Sequence, residues 1–67
     1  MKTQFTREWL PLLGVIWHHF PTEAQATEFA DWAESVTQHD ARPCRTMVTV
    51  DPDEPEDVRF EVRVHNW

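Results

Sequence analysis

Residues 58–65 read Val-Arg-Phe-Glu-Val-Arg-Val-His, with apolar and polar side chains in strict alternation. Successive side chains of a β-strand point to opposite faces, so a period of two predicts a strand with one buried and one wetted face. The strand is placed at residues 58–64, with Val58, Phe60, Val62 and Val64 inward and Arg59, Glu61 and Arg63 outward. Residues 42–50 repeat the pattern. Cys44, Thr46, Val48 and Val50 share one parity, and Arg45, Met47 and Thr49 the other. Between the two lies Asp51-Pro52-Asp53-Glu54-Pro55-Glu56-Asp57. Proline cannot continue a central strand and Asp-Pro favours a turn, so the two runs are read as a hairpin.

Working toward the N-terminus, residues 22–38 carry a helical period. Thr22 is an N-cap candidate, Gln25 completes a capping-box spacing, and Glu23 places an acid where the helix dipole favours one. At 100° per residue Ala26, Phe29, Ala30, Ala33 and Val36 form one stripe, bordered by Trp32. Glu28, Asp31 and Glu34 fall opposite it as an acidic strip. Residues 12–20 read as a further strand, rich in β-formers and apolar on both parities: Leu13, Val15 and Trp17 against Leu12, Ile16 and Phe20. A strand apolar on both faces is usually covered on both, here by the N-terminal segment or by another chain. Residues 1–10 are read either as a short turn capped by Thr3 or Thr6, with Phe5 and Trp9 four apart on one face, or as an edge strand.

The expected architecture is α+β: one helix packed on a small, mostly antiparallel sheet in the order β-α-β-β, with a possible extra N-terminal element. The pattern resembles half of a ferredoxin-like fold. A length of 67 residues allows one domain, residues 1–67. It excludes enzymes built on large α/β sheets or barrels, because so short a chain buries only about 60% of its unfolded surface. A hydrophobic fraction of 40% and an aromatic fraction of 12% are those of a folded chain. The single cysteine, Cys44, excludes an internal disulfide. The longest apolar run, residues 10–17, is far short of the roughly 20 needed to cross a bilayer. No signal peptide is read, and a cytoplasmic protein is expected.

Twelve acids against six bases give a net charge of −6, unevenly spread. Residues 23–40 and 51–57 hold ten of the twelve acids and no Lys or Arg at all. Direct nucleic-acid binding draws its affinity from Lys and Arg releasing counterions, and the chain has one Lys. An anionic membrane surface would repel it likewise. A basic protein partner would be attracted.

Chemistry-bearing constellations are sparse. His18 and His19 are adjacent on a strand and point to opposite faces, and no Cys-x-x-Cys or His-x-x-x-His spacing exists, so no metal site and no cofactor is read. The histidines are expected at exposed or strand-end positions. Cys44 beside Pro43 shares the parity of Val48 and Val50 and is read as a small core hydrophobe rather than a nucleophile paired with His39. One glycine leaves no phosphate-cradling loop. The chain is therefore read as a non-enzyme. The acidic segment admits three readings: a solvated turn that blocks edge pairing, a calcium site, or a mimic of nucleic-acid phosphates stiffened by its prolines. Four tryptophans in 67 residues are many, and Trp32 and Trp67 are expected to be partly exposed.

Glu23, Glu28, Asp31 and Glu34 on the helix, with residues 51–57 in the turn, give a very small acidic domain that resembles the phage-encoded anti-CRISPR proteins. The likeness is one of overall character and carries no motif. It implies an inhibitor that binds the nucleic-acid-binding surface of a CRISPR effector subunit inside a bacterial host cell, since those surfaces are positively charged channels. The partner-binding residues expected on this reading are Glu28, Asp31, Glu34, Asp51, Asp53, Glu54, Glu56, Asp57 and Trp32. The alternative is a small regulatory or structural module, of antitoxin or subunit type, that binds through an apolar sheet face. Monomer and homodimer are both open.

Overall fold

A computed structural model describes residues 5–66. Its elements are a 3-10 turn at Arg7–Trp9, strand β1 at Gly14–Phe20, helix α1 at Glu23–Thr37, strand β2 at Arg45–Val50, a second 3-10 turn at Glu56–Val58 and strand β3 at Phe60–Asn66. The sheet order is β1-β3-β2, and both pairings are antiparallel. The strictly alternating segment is thus the central strand. The fold is α+β in β-α-β-β order, as the periodicities predict.

The helix covers one face only. Ala26, Phe29 and Ala33 are fully buried on α1 and meet Val62 and Val64 of β3, which are also fully buried. The register places Ile16, His18 and Phe20 of β1 on one flank of that β3 face, and Thr46, Val48 and Val50 of β2 on the other. Alanine on the helix brings the two layers close, and Phe29 fills the space between them. Cα extents of 36 × 27 × 15 Å leave room for two layers and no third.

Local chemistry accounts for the element ends. Thr22 Oγ1 accepts the Gln25 N–H at 3.2 Å and caps α1. The Gln25 side chain meets the Thr22 hydroxyl at 3.1 Å instead of reaching back to the backbone, so half of the capping box forms. At the far end Thr37 Oγ1 donates to the Ala33 carbonyl (2.7 Å) and accepts the Cys44 N–H (2.9 Å), joining the helix to the start of β2 through a buried hydroxyl. Gly14 sits at φ +97°, a backbone conformation that side-chain-bearing residues rarely adopt, and this starts β1 at residue 14 rather than 12. Leu12 and Leu13, expected in the strand, precede it and are exposed.

Three expectations are corrected. Of the two readings of the segment before Pro11, the short turn is the one found, and its described part, residues 5–10, neither pairs as an edge strand nor covers the second sheet face. It forms a 3-10 turn on the helix side, where Phe5 packs edge-on against Trp9 (5.6 Å) and Phe29 (5.1 Å). Thr6 makes no side-chain cap, and Thr3 lies outside the described residues. Second, β3 begins at Phe60 and runs to Asn66, two residues later at each end than expected, because Glu56–Val58 turns helically and Arg59 follows in helical backbone (φ −71°, ψ −31°). Arg59 therefore leaves the outward row of the strand. Third, β2 begins at Arg45, not 42, since Pro43 and the buried Cys44 form the crossing from the helix.

Candidate partner-binding surfaces

The acidic turn is held by its own backbone. The Asp51 carboxylate accepts the Asp53 N–H at 3.1 Å, the self-bonding that makes aspartate a turn residue. The Asp51 N–H donates to the Arg59 carbonyl at 2.8 Å. The Arg59 guanidinium donates through Nε (3.3 Å) and Nη2 (3.2 Å) to the Glu54 carbonyl rather than to a carboxylate. Residues 51–57 are all exposed. Among the described residues no basic side chain pairs with Asp51, Asp53, Glu54, Glu56 or Asp57. Glu28 and Asp31 on the outer side of α1 are exposed and unpaired in the same sense.

Glu34 departs from the strip it was assigned to. Its carboxylate turns to the edge of the sheet, accepting the Thr46 N–H at 3.2 Å and also the Thr46 hydroxyl. It ties α1 to β2 and covers an edge-strand donor. Trp32 is partly exposed, as expected at the border of the helix stripe, and its ring joins an aromatic cluster 6.0 Å from Phe29 and 5.4 Å from Phe5. Trp17 is the most exposed tryptophan described, at 55%; Trp67 lies outside the described residues.

Trp17 belongs to a second surface, the sheet face that the helix leaves bare. The register arranges it in rows: Val15, His65 and Arg45; then Trp17, Arg63 and Met47; then His19, Glu61 and Thr49. Arg63 stands over the Trp17 ring, 4.9 Å from its centroid, and its Nε donates to Glu61 at 2.9 Å. His19 Nε2 lies 3.4 Å from the other Glu61 oxygen. Met47 is 52% exposed beside them. The face is mixed: an apolar and cationic middle with one well-paired acid at one end.

The histidine pair splits across the sheet as the strand period requires. His18 nevertheless departs from the expected exposed position. Its ring stacks on Trp9 (5.2 Å, 20°), meets Phe29 edge-on at 4.8 Å, and bonds the Trp9 carbonyl through Nε2 at 2.7 Å. A carbonyl only accepts, so Nε2 carries the proton. His18 thus clamps the N-terminal turn to β1. Cys44 is buried in the core, and His39 is exposed. Among the described residues no three His, Cys, Asp or Glu side chains converge as metal ligands, the acidic turn included.

No protein-family model, curated protein or solved structure matches the chain. Its function is therefore to be sought in these two surfaces. No helix is long and apolar enough to cross a membrane among the described residues. Sequence reasoning missed Arg7, which pairs with Asp40 at 2.9 Å and donates to the Val36 carbonyl at 3.3 Å, pinning the N-terminal turn to the end of α1. The sequence carries no signal of this pairing, which spans 33 residues, although in the folded chain the helix dipole favours a cation at that end.

Proposed function

We propose that this chain is a stoichiometric inhibitor that occupies the nucleic-acid-binding surface of a basic protein in a bacterial cell, a CRISPR effector subunit by its likeness to anti-CRISPR proteins. It acts by binding and not by turnover. The observation that carries the reading is the charge layout: the five carboxylates of the turn, with Glu28 and Asp31, are exposed and lack a basic partner among the described residues. The one arginine at the turn points to a carbonyl instead. Uncompensated carboxylates on a backbone-braced turn attract a cationic channel at long range and lose little order on docking. Glu34 also bonds the sheet edge and Trp32 packs Phe5 and Phe29, so the turn with Glu28 and Asp31 leads the contact and these two flank it.

The test is capture of the tagged chain's partner from nuclease-treated bacterial lysate, with bound proteins identified by mass spectrometry. A nucleic-acid-processing complex retained at low salt, released by duplex DNA and lost when Asp53, Glu54, Glu56 and Asp57 are replaced by Asn or Gln is the expected result. Capture that survives neutralisation of the turn and of Glu28 and Asp31 rules the reading out. A second reading is favoured by Trp17 and Met47, both about half exposed on the bare sheet face. On it the chain is a regulatory or structural module, its binding is insensitive to salt, and Trp17→Ala abolishes it.

A further inference from the structure

A third surface lies along the outer edge of β2, at the end of the sheet away from β1. In an antiparallel ladder alternate residues bond the neighbouring strand, and the others point their N–H and C=O away from it. The bond from the Asp51 N–H to the Arg59 carbonyl continues the β2–β3 register, so Arg45, Met47 and Thr49 bond β3 while Thr46, Val48 and Val50 face outward. Glu34 takes the Thr46 N–H from outside the sheet, in agreement. The outward N–H and C=O groups of Val48 and Val50 have no partner among the described residues. Their side chains belong to the helix side, yet Val48 is 37% exposed and Val50 58%, against 0% for Val62 and Val64 on β3. What remains is an open groove of about 250 Å³ lined by Glu23, Thr27, Val48, Thr49, Val50 and Phe60. At the β1 edge the corresponding space is filled, by Trp9 stacked on His18 and Phe5 packed on Phe20. A carboxylate stands at each end of the groove, Glu23 beside Val50 and Glu34 beside Thr46. Among the described residues no basic side chain pairs with either.

We propose that this edge binds an extended segment of another protein, which joins β2 as a fourth strand and carries an apolar β-branched residue between two lysines or arginines at alternate positions. Unbonded ladder groups are a template for an extended backbone. Residues directly opposite one another in adjacent strands share a face. The residue that exchanges bonds with Val48 therefore sets its side chain into the groove, where Val48, Val50 and Phe60 favour a small apolar group. The residues two positions away on either side fall opposite Thr46 and Val50, beside Glu34 and Glu23, where a cation is matched. A second copy of this chain does not fit. Antiparallel pairing of two β2 edges about Val48 lays the Glu34 end of one copy against the Glu23 end of the other, acid on acid at both ends. The site uses the β2 backbone and Glu23 rather than the acids of residues 53–57, so it and the proposed inhibition stand or fall separately.

Nuclear magnetic resonance titration of the isotope-labelled chain with the end-blocked peptide Thr-Lys-Thr-Val-Thr-Lys-Thr tests this. Saturable shifts of the Val48 and Val50 amides, with those of Thr27 and Phe60, are expected. Methylating the nitrogen of the peptide's valine removes the N–H given to the Val48 carbonyl and should weaken binding roughly tenfold. Methylating the nitrogen of the threonine before it, which points away from β2, should change the affinity little. Replacing both peptide lysines by glutamate should abolish binding, and Glu23→Lys, at an exposed position in the first helical turn, should weaken the lysine peptide. The peptide variants leave the protein untouched, so they decide the matter even where a protein variant folds poorly. Absence of saturable shifts at millimolar peptide, shifts centred on Val15, Trp17 and His19 of the β1 edge, or equal affinity of the valine-methylated or glutamate peptide would each overturn the proposal. Shifts of Val48 and Val50 that follow protein concentration without peptide would overturn it in favour of a second copy.

Discussion

At the scale of the residue, small polar groups decide more than their size suggests. Thr37 is 3% exposed and serves two backbone partners, the Ala33 carbonyl and the Cys44 N–H. Thr37→Val keeps the shape but strands a buried N–H, a loss of about 1–3 kcal/mol. Thr37→Ser, which keeps the hydroxyl, should recover most of it in a urea melt; equal stability of the two variants would show that the hydroxyl has no role. Gly14 carries a different constraint. A Cβ there would meet nothing within 4 Å, yet the backbone stands at φ +97°. Gly14→Ala should therefore cost about 1–2 kcal/mol through backbone strain alone, and a neutral result would mean that β1 starts in another conformation.

At the scale of the element, α1 holds the layers together through one side chain. Phe29 is fully buried and touches Phe5, Trp9, His18, Phe20 and Trp32. Removing a buried phenylalanine costs about 3–5 kcal/mol. A chain of 67 residues has only about 3–10 kcal/mol in total. Phe29→Ala is thus expected to leave a substantial unfolded fraction at 25 °C, read by near-ultraviolet circular dichroism. Trimming the cap with Thr22→Ala should cost only about 1 kcal/mol and leave the fold intact. If the two variants melted together, the aromatic cluster would not be the joint between N-terminal turn, sheet and helix.

At the scale of the whole molecule, charge and packing pull against each other. Acids without local partners repel one another and weaken the compact state, and salt screens that repulsion over about 10 Å at 0.1 M. Raising sodium chloride from about 10 to about 300 mM should raise the melting temperature of the native chain. The variant with Asp53, Glu54, Glu56 and Asp57 neutralised should start higher and gain less. An identical salt response would mean that the turn's charges are already compensated, and would weaken the proposed function with it.

Periodicity alone determined a good deal of this protein. The alternation of residues 58–65 specified a strand with one buried face, and the spacing of Ala26, Phe29, Ala30 and Ala33 specified which helix face meets it, because side-chain direction follows backbone period directly. Thr22 marked the helix start because its cap is a contact over three residues. Composition likewise located the two acidic segments. Tertiary structure decided what depends on contacts between distant residues. Nothing local shows that Glu34 would turn to bond Thr46, that Arg7 would seek Asp40, that Trp32 would be held by Phe5, or that Trp17 would be the most exposed of the described tryptophans. Those outcomes follow from which sheet face the one helix covers and from where the N-terminal turn docks. Both are set by the free energy of the whole packed arrangement and not by any stretch of the chain alone.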